Sequence, residues 1–298
     1  MRLGEDPYAI GNGSLASMAR MLGRPYVREV GNGPAVVLIH AGAANSGQWR
    51  ALMELLAGRF RILACDMSGS GKSPAFPQDV TYTLDEEVRF LDPVFEAAGE
   101  RFHLLGHSYG GAVALKAALR HRTRLRSLML FEPVLFSLLI ADAPRSRATR
   151  EILRLAQSTT GLAERGDFDA AAREFVDYWF EPGRWASMRE EARAPIRAAM
   201  NLTGLRWQAL FNDPVPLEDL RLIDVPTLFL VAQNSRPPAR ALSALLIRTL
   251  ANARSVEISG VGHMAPLVDP SRVNPLIESF LAGEGGGVNS PRCGRQLP

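Results

Sequence analysis

At 298 residues, the chain exceeds one average domain of roughly 150 residues without making two, which predicts one large α/β unit or a core with an insert. Hydrophobic residues at 47% and charged residues at 22% exclude a disordered chain, a collagen-like fibre and a coiled coil. The net charge of +3 is small, and its carriers, arginines except for Lys72 and Lys116, are scattered along the chain, so no nucleic-acid partner is expected.

Residues 1–24, with Gly11-Asn12-Gly13-Ser14, lack a clear pattern and read as a loose N-terminal arm. Order begins at Tyr26-Val27-Arg28-Glu29-Val30, an alternating strand closed by the turn Gly31-Asn32-Gly33-Pro34. The continuous apolar strand Ala35-Val36-Val37-Leu38-Ile39 follows. Further strands are predicted at 61–65, 102–105, 128–131, 227–231 and 255–258. Helical patterns lie between them, including Thr83 to Ala98 and Gly111 to His121. Strands apolar on both faces that alternate with helices imply a mostly parallel sheet covered on both sides.

One interval breaks the alternation. From about Leu138 to Leu220 there are only helix-like segments, separated by Gly166, Pro182-Gly183 and Pro214. Its aromatics, Phe168, Phe175, Trp179, Trp185, Trp207 and Phe211, are expected mainly to hold helices together, with a minority lining a pocket beneath a helical cap. The expected organisation is therefore a core of residues 25–137 and 221–282, a cap of 138–220 and a flexible tail of 283–298.

Two cysteines, Cys65 in an apolar run and Cys293 in the tail, support neither a disulfide framework nor a metal site. The acidic, proline-containing start resembles no signal peptide, and no run reaches the ~18 apolar residues of a membrane span. A cytoplasmic protein without a membrane partner is expected.

Gly106-His107-Ser108-Tyr109-Gly110 fits G-x-S-x-G, with a strand entering and a helix leaving. Such a turn strains the serine backbone and presents its hydroxyl at the carboxyl end of the sheet, beside a helix N-terminus. A serine nucleophile needs a base, and a developing oxyanion needs donors. His263, in Gly260-Val261-Gly262-His263, follows the last strand in a loop able to return over the sheet. The other histidines have local roles: His103 within a strand, His107 in the elbow, His121 at a helix end, His40 bonding backbone at a strand end. The small residues after His40 let a backbone N–H face the site, which nominates Gly42 together with Tyr109, the residue after the nucleophile.

With these landmarks in order, the chain from about Tyr26 to Leu281 resembles the α/β-hydrolases of the small, capped kind. His40-Ala41-Gly42 through Trp49, Asp66-Met67-Ser68-Gly69-Ser70-Gly71-Lys72-Ser73, the elbow and the Gly-x-Gly-His loop match that family's pattern, although Ala41 replaces a usual glycine. The resemblance implies an eight-stranded, mostly parallel sheet with a helical cap inserted after the sixth strand. It implies a small-molecule substrate and no cofactor or metal.

The same pattern usually has an aspartate after the seventh strand, where this chain has Ser235 and no carboxylate between Val225 and Ala253. Some members place the acid after the sixth strand, which here offers Glu132. Glu132 is therefore the expected partner of His263, against a purely structural carboxylate. Asn234 or Ser235 could alternatively orient His263 through a neutral bond, whereas Asp66 is expected to bond its own glycine-rich turn and Asp269 to serve a loop or helix cap.

The favoured activity is an ester, thioester or lactone hydrolase working through an acyl-enzyme. Alternatives are carbon–carbon bond hydrolysis or cofactor-free peroxide chemistry on the same fold, or a non-catalytic ligand-binding homologue. A serine in place of an aspartate disfavours haloalkane and epoxide chemistry, which form alkyl-enzyme esters.

Overall fold

The computed structural model describes residues 23–285, apart from residues 78 and 214. The expected N-terminal arm through residue 22, and the tail from residue 286 with Cys293, lie outside the described residues.

The strands are β1 (Val27–Val30), β2 (Ala35–Ile39), β3 (Arg61–Cys65), β4 (Phe102–His107), β5 (Leu125–Phe131), β6 (Thr227–Ala232) and β7 (Ala253–Ile258). They form one sheet in the order β1-β3-β2-β4-β5-β6-β7. Only the edge pair β1–β3 is antiparallel. The sheet thus has seven strands among the described residues, not the eight implied by the resemblance, and the strand expected as sixth is β5.

Helices α1 (Arg50–Leu56), α2 (Leu84–Ala97) and α3 (Tyr109–Arg120) fall between the first five strands. Thr83 starts α2 by accepting the Glu86 N–H, and Asp85, Glu86 and Glu87 place negative charge at its positive end. Between β5 and β6 the chain is helical throughout its regular elements. These are α4 (Phe136–Asp142), α5 (Arg147–Glu164), α6 (Phe168–Trp179), α7 (Arg184–Ser187), α8 (Glu190–Ala199), α9 (Thr203–Asn212) and α10 (Leu217–Leu220). The helical run begins at Phe136, slightly before the expected Leu138. α11 (Pro237–Thr249), α12 (Ala265–Val268) and α13 (Pro270–Gly285) complete the chain. Because α13 continues to Gly285, the segment expected as tail starts inside a helix.

Strand alternation divides the core in two. Val37, Ile39, Leu104 and Leu130 face α2, α3 and α11, in a core shared with Leu91, Leu115 and Leu242. Val36, Leu38, Met129 and Leu230 face the opposite layer, against Leu52 of α1 and Ile277 of α13. Both faces are covered, which is why the strands read as continuous apolar runs. Cys65 is buried in the first of these cores, and its thiol donates to the Leu38 carbonyl.

Register positions the loops that matter. Gly106 of β4 is level with Ile39 of β2 and Leu130 of β5, and Phe131 is level with Leu230 of β6. The segments leaving β2, β4, β5 and β6 therefore emerge side by side at the carboxyl end of the sheet. Brackets of this kind at the carboxyl ends of parallel strands are where open α/β sheets bind ligands.

Candidate active site

Ser108 sits between β4 and α3 with φ 55° and ψ −118°. The glycines around it are required by space. A side chain at Gly106 would overlap the Gly110 carbonyl, and one at Gly110 would overlap the carbonyls of Ile39 and His40. The strained turn is clamped from β5 and beyond: the Ser108 N–H donates to the Phe131 carbonyl at 3.0 Å, and the Ser108 carbonyl accepts the Val134 N–H at 3.2 Å.

Ala43, Ser108 and Glu132 are the non-glycine residues with positive φ among the described residues. Each such backbone costs on the order of 1–3 kcal/mol and persists where the surroundings over-determine it. All three meet at one end of the sheet.

His263 brings the other two together. Its Nε2 lies 2.9 Å from Ser108 Oγ, and its Nδ1 lies 2.7 Å from Glu132 Oε2. All three side chains are buried. Glu132 also accepts the Ala232 N–H through Oε1 at 2.8 Å and the Ser235 hydroxyl through Oε2 at 2.6 Å. Ser235, standing where the family pattern usually has its aspartate, thus donates to the carboxylate that arrives from the neighbouring strand. The Nδ1 side of His263 faces Glu132, while Asn234 secures the loop by donating its N–H to the Val261 carbonyl at 2.9 Å.

Gly42 and Tyr109 lie beside Ser108 on the wall of one small cavity. Among the described residues, neither main-chain N–H donates to a protein acceptor. A side-chain carbon at Gly42 would stand 3.5 Å from the Tyr109 Cβ, so the two segments are neighbours. Two unsatisfied amides next to a hydroxyl suit a developing negative oxygen.

His40, His103 and His107 are held toward the neutral form by burial. Burial lowers His40 and His103 from about 6.5 to about 4, and lowers His107 well below its ordinary value. His40 donates from Nδ1 to the Ala41 carbonyl and accepts the Met67 N–H at Nε2, holding the β2 and β3 exits together. His103 bonds Ser127, and His121 caps the end of α3, as expected from their positions. Asp66 accepts the Ser46 and Lys72 N–H groups, the turn-forming role expected of it. Asp269 precedes α13 and accepts the Ser271 hydroxyl.

Four contributors were not legible in the sequence. His107 contacts Gln48 and the His263 carbonyl, although the elbow pattern leaves its position open. Gln48 also accepts the Ala41 N–H at 3.1 Å. Trp179 packs on the His263 ring with centroids 4.3 Å apart. Arg206 of α9 is buried over the Tyr109 ring, yet sequence alone gives a lone arginine in a helix.

The Alpha/beta hydrolase family description matches residues 36–276, which is most of the chain. The chain belongs to the alpha/beta hydrolase family. It is 37% identical over 260 residues to 2-hydroxy-6-oxo-6-(2'-aminophenyl)hexa-2,4-dienoic acid hydrolase of Metapseudomonas resinovorans, covering 85% of this chain and 86% of that one. It is 29% identical over 271 residues to pimeloyl-[acyl-carrier protein] methyl ester esterase of Aeromonas hydrophila, covering 86% and 98% respectively. An alpha/beta hydrolase from a Medee basin deep-sea metagenome shares the fold with a TM-score of 0.74 at 21% identity, over 90% of this chain and 96% of the other. The chain is accordingly an enzyme of the hydrolase kind. No helix among the described residues is long and apolar enough to cross a membrane.

Proposed function

We propose that this hydrolase cleaves small ester-type substrates (esters, thioesters or lactones) through an acyl-enzyme on Ser108. The observation that carries the reading is the continuous chain from Glu132 through His263 to Ser108, at 2.7 and 2.9 Å. His263 Nε2 takes the hydroxyl proton as Oγ bonds to the substrate carbonyl carbon. The carbonyl electron pair moves onto oxygen, which the Gly42 and Tyr109 N–H groups receive. Collapse breaks the bond to the leaving group, which takes the proton from His263. A water then repeats the sequence on the acyl-enzyme and releases the acid. Glu132 keeps the proton of His263 on Nδ1 and stabilises the imidazolium. In this reading α4 to α10 form the cap that walls the site.

The elbow, the loop histidine and a carboxylate reached from an alternative strand together favour catalysis over mere ligand binding, since a binder has no need of a strained, base-coupled serine. A second reading is carbon–carbon bond hydrolysis, favoured by the 37% identity to the Metapseudomonas resinovorans enzyme, whose name describes a dienoic acid hydrolase. The testing experiment is fluorophosphonate labelling mapped by mass spectrometry, with Ser108→Ala as control. Stoichiometric labelling at Ser108 is expected, and folded protein that takes no label overturns the reading. A panel of esters and vinylogous diketones then separates the two chemistries.

A further inference from the structure

Two cavities meet at the Gly42–Ala43 segment and differ greatly in size. The inner one, of about 40 Å³, holds Ser108 and Tyr109 and is lined by Val134, Trp179, Met200, Arg206, Trp207 and Leu210. The outer one, of about 600 Å³, runs between α8 and the loop after β2. Its walls include Met188, Ile196 and Leu202 from the helical segment and Met264 and Leu267 from beyond His263. Arg50 is the one charged side chain on its wall among the described residues.

The chemistry assigns a different half of the substrate to each cavity. In acyl transfer the leaving atom must come within reach of the protonated base, so the leaving group lies on the His263 side of the tetrahedral carbon. Met264, which directly follows that base, and Leu267 line the outer cavity, while Trp179, which lines the inner cavity, covers the His263 ring. With the oxyanion held by Gly42 and Tyr109, the acyl substituent takes the remaining direction, toward Val134, Trp207 and Leu210. A cavity needs roughly 10–15 Å³ to hold a single water, so the inner one has space for an acyl chain of about two to four carbons.

We propose that the enzyme removes short acyl groups from long, mostly apolar alcohols or thiols, with Trp207 and Leu210 setting the acyl length. The assignment rests on the acyl-enzyme reading of Ser108 and His263. Trp207 is a rigid end wall: it stacks on Phe211 at 5.6 Å and its indole N–H donates to Thr159 at 3.0 Å. Leu210 is one turn further along the same helix and is buried beside it. The outer cavity has no carboxylate on its described wall, which suits a neutral or anionic leaving arm.

The test uses the full chain and two ester series, compared by kcat/KM. One series varies the acyl group of para-nitrophenyl esters from acetyl through butanoyl to octanoyl. The other varies the alcohol of acetate esters from methyl through hexyl to decyl. The octanoyl ester is expected to fall at least about tenfold below the acetyl ester, since a small, mostly apolar pocket discriminates on this scale per added group. The acetate series should hold or rise with alcohol length. Leu210→Ala should raise the octanoyl-to-acetyl ratio about tenfold, and Ile196→Trp should lower decyl acetate turnover more than methyl acetate turnover.

A labelled Ser108 with methyl octanoate preferred over octyl acetate overturns the assignment and leaves the hydrolase reading standing. Absence of both labelling and ester turnover overturns the hydrolase reading, and the assignment with it.

Discussion

The Nε2 of His107 donates to the main-chain carbonyl of His263 at 2.9 Å, joining the elbow to the loop that carries the base. A carbonyl only accepts, so the His107 proton is on Nε2, and Nδ1 accepts the Gln48 side-chain amide at 3.1 Å. Gln48 in turn accepts the Ala41 N–H, so one neutral chain spans three loops of the site. His107→Leu leaves the His263 carbonyl and the Gln48 amide without that partner. Steady-state kinetics should show kcat lower by about tenfold to a hundredfold with KM changed little, the pattern of a misplaced base. Urea unfolding should show a loss of about 1–3 kcal/mol.

Glu132→Gln tests whether the carboxylate matters by its charge. A glutamine amide can still accept the Ala232 N–H, but its NH₂ group then faces Nδ1 of His263. That pairing moves the histidine proton to Nε2, which no longer accepts from Ser108. The expected result is a fall in kcat on the order of 10⁴ with the fold intact, measured by ester turnover and near-UV circular dichroism. Turnover within a few-fold of the unsubstituted enzyme would show Glu132 to be structural.

Arg206 holds the helical segment to the sheet. Its Nη2 donates to the Ser68 carbonyl at 3.0 Å and the Ser70 hydroxyl at 2.8 Å, and its Nε donates to the Tyr82 hydroxyl at 3.3 Å. Tyr82 bonds Glu87, whose carboxyl pKa burial raises and Arg206 opposes. Arg206→Met removes the cation from a buried acid and strands the Ser68 carbonyl. A loss of about 3–5 kcal/mol is expected in urea unfolding. Arg206→Lys keeps the charge but loses the planar fork, and should recover part of it.

Acid should unfold the protein through its buried histidines. His40 and His103 bind a proton only near pH 4 when folded, and His107 only well below its ordinary value, against about 6.5 in the unfolded chain. Between those values the unfolded state carries the extra protons, so stability is present above about pH 6.5 and declines as pH falls toward 4. Each such histidine contributes a slope of up to about 1.4 kcal/mol per pH unit. Urea unfolding across this range should show the decline, and a single His103→Phe substitution should make it shallower. A stability profile flat from pH 7 to 4.5 would contradict these environments.

The fold was legible because both faces of the sheet are buried, which makes each inner strand a plain apolar run, and because glycines mark where backbones must touch. Ser108 and His263 were legible from local context: a strand, a crowded turn and a helix for one, and a glycine-flanked loop after the last strand for the other. Glu132 is legible only through the family resemblance, because the usual acid position holds Ser235. Its partners Ala232 and Ser235 lie about a hundred residues away, and only the β5–β6 register reveals them. Arg206 was invisible for the same reason, since Ser68 and Ser70 lie far from it in sequence. The seven strands of the described residues are those the apolar pattern gives, the eighth being implied by the resemblance alone. The helical run starts at Phe136 rather than Leu138 because element boundaries depend on packing, not on pattern alone.

The bonds that flank Ser108 tie it to the segment leading out of β5. Its N–H reaches Phe131 and its carbonyl receives Val134, while Gly111 of α3 packs so closely on Pro133 that a methyl group there would overlap it. Phe131 to Val134 is therefore a rigid stem rooted in the same scaffold as the serine, with Glu132 embedded in it. Any swing of the overlying helices must pivot beyond Val134. The serine and Glu132 are thus held by the sheet scaffold itself, whereas the His263 ring also packs on Trp179 of α6, so the overlying helices reach the reactive groups through the base.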